Sequence, residues 1–152
     1  MGSAAHRSTP PASFRLASRS ICAGTPLEVP SPEDVASRWI EKWNVDVREH
    51  TGESDGFDLD FEVPVRYPRL CLDAILLVLE RIPSDPAGRH FPVLAAGPLE
   101  TLLMRHGPAM VDEIDVLARR SPSFRMLLNG VWTSRMDSAV VERLTKYLSA
   151  PW

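Results

Sequence analysis

Apolar residues recur at helical spacing over most of this 152-residue chain. Between Phe91 and Trp132, three runs with an apolar residue at every third or fourth position each follow a proline: Pro98, Pro108 and Pro122. A proline fits the first turn of a helix because the N–H that it lacks would have no partner there. The pattern therefore predicts three helix starts at these prolines and two helix ends, at Gly107 and Gly130.

Three more helices are predicted outside that stretch. One follows the Ser-Pro-Glu-Asp sequence at Ser31, which is typical of a capped helix start, and runs to about Trp43. The second, from Pro68 to Ile82, is apolar nearly all round, so we expect it to be the buried hub of the fold. The third covers about Asp137 to Leu148.

About six helices joined by short links predict an all-α fold. Two architectures remain open: a compact antiparallel multi-helix bundle, or a short stack of helix pairs like HEAT or tetratricopeptide arrays. Residues 1–28 contain three arginines, a single acid and no periodic apolar run. We expect them to be a disordered leader, or sequence upstream of a start site that was assigned too early, and we expect residues 29–152 to form one helical domain.

The segment 44–66 lacks a helical pattern. From residue 57 to residue 63, apolar side chains alternate with Asp58, Asp60 and Glu62. Strict alternation favours a short, half-buried strand that would project the three carboxylates from one face. Because the sequence offers no partner strand, an extended segment laid across a helical core is the alternative.

Charge is distributed unevenly along the chain. The net charge is −3, yet residues 28–62 contain eleven acids and three bases. No basic stripe or patch dominates, which argues against nucleic acid as a partner. No run approaches the roughly 18 apolar residues that a membrane span requires, so we expect no membrane insertion. Two cysteines, Cys22 and Cys71, do not make a disulfide framework, and a cytoplasmic location is expected.

The sequence contains none of the common catalytic or cofactor motifs. A phosphate-binding GxxxxGK[ST] loop, a GxGxxG turn, an HExxH zinc helix, a GxSxG elbow and a CxxC pair are all absent from it. We therefore assign no catalytic, cofactor-binding or metal-binding residue and expect no cofactor. Carboxylates spaced like Asp58, Asp60 and Glu62 can hold Mg²⁺ or Ca²⁺, but the glycine and distal glutamate of a calcium loop are missing.

Two groups of residues are candidates for binding a partner. The first is the acidic segment, with Asp55, Asp58, Asp60 and Glu62, which is either a solvated loop or a docking surface for a basic partner. The second is Arg125 with Trp132, because these residue types are enriched at binding hot spots. The alternative for this pair is an internal ion pair at Arg125 and a core position for Trp132.

Other charged residues are expected to have structural roles. Asp115 and Arg119 form an i,i+4 pair on the polar face of their predicted helix. Glu100 is expected to serve a helix N-terminus, and His106 the C-terminal end of the same helix. Glu142 and Lys146 are expected to pair at the surface of the last helix.

The segments LAAGPLETLLMRHG (residues 94–107) and FRMLLNGVW (residues 124–132) resemble a family of small bacterial domains of unknown function. In that family a helix similar to CLDAILLVLE, here at residues 71–80, and an amino-terminal helix with a tryptophan, here Trp39, precede these segments. The resemblance covers about Ser31 to Trp132. It implies an all-helical bacterial domain and carries over no catalytic residue.

The sequence thus predicts a non-enzymatic protein–protein interaction module. Its partner is an unknown protein, which would be basic if the acidic segment binds it. A narrower version is an immunity protein that neutralises a basic toxin. The rival class is a metal-dependent hydrolase that uses Asp58, Asp60 and Glu62.

Overall fold

A computed structural model describes residues 28–44, 55–148 and 152. These residues form helices and no β-strand, so the predicted all-α fold is confirmed as a compact multi-helix bundle. Of the predicted leader, all but Glu28 lies outside the described residues, as does Cys22. The helices are α1 Pro32–Asn44, α2 Glu62–Arg66, α3 Pro68–Arg81, α4 His90–Leu94, a π-helical segment Ala95–Leu99, α5 Glu100–Arg120, α6 Pro122–Leu128 and α7 Ser138–Leu144, followed by a 3₁₀ turn Thr145–Tyr147.

Helix α3 lies at the centre of the bundle. It packs against α1, α2, α5, α6 and the π-helical segment. Leu72, Ile75 and Val78 are fully buried, whereas Leu76 and Leu77 are only partly covered. Cys71 is also buried on this helix, and burial raises the pKa of its thiol, as expected of a small apolar side chain in the core. None of the helices among the described residues is long and apolar enough to cross a membrane.

Helix α1 begins where the capping sequence predicts it. The Ser31 hydroxyl accepts a hydrogen bond from the Asp34 N–H at 3.1 Å and so satisfies one free donor of the first turn. Val35, Ala36 and Trp39 then fall on the buried face. This face lies on α3, which makes α1 and α3 the most extensive helix pair of the fold.

The predicted helix end at Gly107 and helix start at Pro108 are wrong. Helix α5 runs through both residues without interruption. A Cβ atom on Gly107 would lie 2.9 Å from Cγ2 of Val140 on α7, so the glycine allows two helices to approach each other rather than ending one. Pro108 is exposed. The one backbone hydrogen bond that the helix lacks because proline has no N–H is therefore on the solvent side.

The third proline marks a helix start, as predicted, but the helix end that follows differs. Helix α6 begins at Pro122, with the Ser121 hydroxyl accepting from the Phe124 N–H at 3.2 Å. It ends at Leu128, yet Gly130 does not adopt the left-handed conformation. A Cβ atom on Gly130 would lie 2.8 Å from that of Ala95 and would also overlap the Trp152 ring. Close packing therefore explains this glycine.

The contact between Gly107 and Val140 yields a prediction. In an ordinary helix interior, replacing Gly107 with Ala would stabilise the fold by about 1 kcal/mol. Because the added methyl group meets a stiff β-branched side chain, we expect Gly107→Ala to destabilise the protein instead, by about 1 kcal/mol. Gly107→Ala with Val140→Ala should cost less than the two single changes added together. Urea unfolding of the four proteins measures this coupling, and strict additivity would contradict the assignment.

Candidate functional site

An open, mostly apolar groove of about 500 Å³ runs between helix α1 and the bend that joins α4 to α5. The end of α1 and the turn before α2 form one wall, and α4 with the π-helical segment forms the other. We call this surface the α1 groove. Its lining residues are Lys42, Trp43, Asp60, Phe61, Pro92, Val93, Ala96 and Gly97.

The π-helical wall follows from Pro98. This residue has no N–H and cannot bond to the Leu94 carbonyl four residues earlier. The helix widens to the i→i+5 pattern instead, in which the Glu100 N–H bonds to the Ala95 carbonyl. The expected helix start at Pro98 is therefore wrong, because the chain remains helical from His90 to Arg120. Such π bulges occur often at functional sites.

The opposite wall contains a turn where a strand was predicted. The Asp58 carboxylate accepts a hydrogen bond from the Asp60 N–H at 2.8 Å, which is the short-range bonding that favours a turn over an extended chain. The Asp58 carbonyl also accepts the N–H groups of Phe61, Glu62 and Val63. Leu59 and Val63 consequently enter the core at helical spacing, while Phe61 points outward and is 68% exposed.

The Asp60 carboxylate accepts hydrogen bonds from three side chains of α1. Its Oδ1 accepts from Trp39 Nε1 at 2.6 Å, and its Oδ2 accepts from Trp43 Nε1 at 3.1 Å. The Lys42 ammonium lies 2.8 Å from the same Oδ2, and only 9% of the Asp60 side chain is exposed. Both carboxylate oxygens thus accept hydrogen bonds from side chains of α1.

Lys42 bridges two carboxylates at the polar edge of the groove. Its Nζ atom lies 2.7 Å from Asp58 Oδ2, in addition to its bond to Asp60, and it lies 5.4 Å from the centre of the Phe61 ring. Burial alone would lower the pKa of Lys42, but the hydrogen bonds that its ammonium donates to Asp58 and Asp60 outweigh that effect and raise the pKa. The ammonium group therefore stays charged in this position.

Each of the four acidic candidates is ion-paired or hydrogen-bonded within the chain. Asp55 forms an exposed ion pair with Arg38, while Asp58 and Asp60 both bind Lys42. Glu62 accepts a hydrogen bond from the Asp58 N–H at 3.3 Å. Within residues 28–44, 55–148 and 152, no group of three or more His, Cys, Asp and Glu side chains is arranged to hold a metal ion.

Arg125 and Trp132 also have different structural roles. Arg125 is half-buried, and its guanidinium donates to the Ala118 carbonyl at 3.0 Å, so it caps the end of α5. Trp132 is 73% exposed, which rules out a core position, and its backbone N–H donates to Glu100 at 3.1 Å. Trp132 lines a second cavity of about 310 Å³ together with Trp152, on a different part of the surface from the α1 groove.

The structure also differs from the helix-end roles that were expected for Glu100 and His106. Glu100 receives the Trp132 N–H instead of a free N–H group of its own helix. Nε2 of His106 lies 2.9 Å from the Val65 carbonyl, in the middle of α5 and not at a helix end. Both residues tie α5 to neighbouring segments.

For Asp115 the sequence predicted one partner correctly but not the burial of the side chain. Asp115, expected on a polar surface, is 1% exposed. Its expected partner Arg119 is present at 2.8 Å, but Lys146 also binds it at 2.8 Å, so the predicted surface pair of Lys146 with Glu142 is not seen. The Tyr147 hydroxyl donates at 2.7 Å, and Arg143 lies 3.4 Å away. The spacing of residues 143 and 146 on the last helix gave no signal of this, because their partner is 28 or more residues away.

The described part of the chain is all-helical, with an apolar groove beside α1 and a charge cluster around Asp115. The chain belongs to DUF6869, a family of unknown function, which it matches over residues 59–151. The match includes the last helix and leaves out α1. The resemblance seen in the sequence, over about Ser31 to Trp132, instead included α1 and left out the last helix. No curated protein and no solved structure matched the chain.

The Asp115 cluster predicts a specific pH dependence. Hydrogen bonds from Lys146 and Tyr147 lower the pKa of Asp115 from its ordinary value of 3.8 to about 2. The stability that its charge supplies is therefore complete above about pH 4 and is lost as the pH falls towards 2. We expect Asp115→Asn to lower the melting temperature by roughly 10 °C at pH 7, and by much less near pH 2.

Asp112 is the matched control for this experiment. It also pairs with Arg143, at 3.2 Å, but it is almost fully exposed. Asp112→Asn should change the melting temperature by a degree or two at most, since exposed ion pairs contribute little. Equal effects of the two substitutions at pH 7 would show that the cluster does not stabilise the fold.

Proposed function

We propose that this protein is a non-enzymatic protein-interaction module whose docking surface is the α1 groove. The observation that supports the proposal is the exposure of Phe61, an aromatic side chain 68% open to solvent beside an apolar groove. A large aromatic side chain gains most from burial, and aromatic anchors in pockets dominate the energetics of many interfaces.

The shape of the groove suits a segment of a partner protein. Trp43, Pro92 and Val93 contribute apolar surface to its lining, and its volume falls within the range of known binding pockets. Both walls are fixed in advance, one by the continuous helix through the π-helical segment and the other by the hydrogen bonds of Asp60. A pre-formed groove loses little conformational entropy on binding, which favours affinity.

The surroundings of the groove favour binding over catalysis. Asp60 accepts hydrogen bonds on both oxygens, and the neighbouring Asp58 is ion-paired with Lys42. Neither carboxylate is placed to activate water. The metal-dependent hydrolase suggested by the sequence has no supporting observation, because the lysine ammonium already lies between its two proposed aspartate ligands.

Selection from a random peptide display library tests the proposal. Peptides that bind the wild-type protein through the α1 groove should bind Phe61→Ser at least tenfold more weakly, because the aromatic anchor is lost. Ala96→Gln, at an exposed helical position in the groove wall, should weaken the same peptides by filling the groove. Affinities can be measured by titration, after urea unfolding has shown that each variant remains folded.

Val116→Ser provides the matched control. Val116 is an exposed apolar residue of α5 that does not line the α1 groove. The selected peptides should bind this variant as tightly as the wild type. If no selected peptide distinguishes Phe61→Ser and Ala96→Gln from Val116→Ser, the α1 groove is not a docking surface.

A further inference from the structure

We propose that the segment docking in the α1 groove carries a lysine or arginine, and that its cation replaces the Lys42 ammonium between Asp58 and Asp60. This inference rests on the proposed function and adds the chemistry of the partner. The chain's own Lys42 ammonium already occupies this position, and it shows where the cation of a partner would bind.

The position is built for a cation. Asp58 Oδ2 and Asp60 Oδ2 lie 2.7 and 2.8 Å from the Lys42 nitrogen, and the face of Phe61 lies 5.4 Å away. Two carboxylates and an aromatic face each attract a positive group. Lys42, Asp60 and Phe61 also line the α1 groove, so a partner side chain that enters the groove reaches the same atoms.

The charge around the groove favours a basic partner. Two carboxylates against one ammonium leave an excess negative charge, and Glu62 adds another through its bond to Asp58. Over the described residues from 28 to 62 there are eight acids and two bases, and Arg38 is paired with Asp55. Arg89, which donates to the Trp43 carbonyl at 3.4 Å, adds one further positive charge beside the groove. Complementary charge speeds association and disfavours acidic partners.

The Lys42 ammonium can leave this position while Asp60 stays in place. Its side chain is 27% exposed at the end of α1 and has a flexible four-carbon stem, so the ammonium group can move into water. Asp60 does not need to move, because the indole N–H groups of Trp39 and Trp43 continue to hold it. One cation is exchanged for another, and no carboxylate is left unpaired. A guanidinium group would have the further advantage of binding both carboxylates through separate N–H groups.

The test uses the display-selected peptides that depend on Phe61. We expect them to contain a lysine or arginine, and replacement of that residue by methionine should weaken binding at least tenfold. Their affinity should also fall as the salt concentration rises. Groove-dependent peptides without a basic residue would overturn this inference while the proposed function stands. Peptides that bind independently of Phe61 would instead contradict the proposed function.

Lys42→Met and Arg38→Met form a matched pair, since both remove one positive charge from α1. Only Lys42 occupies the proposed position, and Arg38 does not line the groove. We expect Lys42→Met to bind the basic peptides several-fold more tightly, and Arg38→Met to change affinity by less than twofold. Equal gains in both variants would show that general electrostatics, and not exchange at this position, governs binding.

A measurement on the wild-type protein keeps the inference testable even if Lys42→Met does not fold. The chain contains only two lysines, Lys42 and Lys146. Lys146 is bound to Asp115, outside the groove lining, and serves as an internal control. In NMR spectra of the lysine side-chain ammonium groups, a selected peptide should shift the Lys42 signal towards that of a solvated lysine and leave the Lys146 signal unchanged. An unmoved Lys42 signal at saturating peptide would overturn the inference.

Discussion

The buried carboxylate of Asp60 is the interaction on which the candidate site depends. It binds two indole N–H groups and one ammonium group, all contributed by α1. Burying a carboxylate is costly unless its oxygens find donors, so these bonds stabilise only one placement of α1 against the turn before α2. The family match begins at Leu59, next to Asp60, and leaves out α1. Asp60 therefore adds a polar attachment of α1 to the region shared with the family, beside the packing of α1 on α3.

The geometry of the groove follows from that attachment. With Asp60 held by α1, the turn from Asp58 places Phe61 on the surface, while Leu59 enters the core. The facing wall depends on a separate cause, the missing N–H of Pro98, which widens the helix beside Gly97. Two local constraints, a buried anion and a proline, therefore produce one apolar groove that is rimmed by a paired lysine.

Local patterns in the sequence identified most of the helices but not their continuity. The period of apolar residues placed α1, α3 and α6 close to their observed bounds, because each has a start signal next to a buried stripe. The helix boundary predicted at Gly107 and Pro108 is wrong, because a glycine needed for contact with Val140 has the same local signal as a glycine that ends a helix. Tertiary contacts decide between these two roles of a glycine, and the local sequence pattern does not reveal those contacts.

The same limit applies to charge, and it separates the two buried carboxylates of this fold. Alternation made Asp60 look like a surface residue of a strand, and i,i+4 spacing made Asp115 look like a surface residue of a helix. Both are buried because distant donors reach them. The Asp115 side chain is 2% exposed and is bonded by Arg119, Lys146 and the buried Tyr147 hydroxyl, so its bonds stabilise the fold. Asp60 borders an open groove, and one of its donors, Lys42, is a flexible side chain that another cation can replace. That difference in access, rather than any difference in the carboxylates, is why binding is assigned to Asp60 and stability to Asp115.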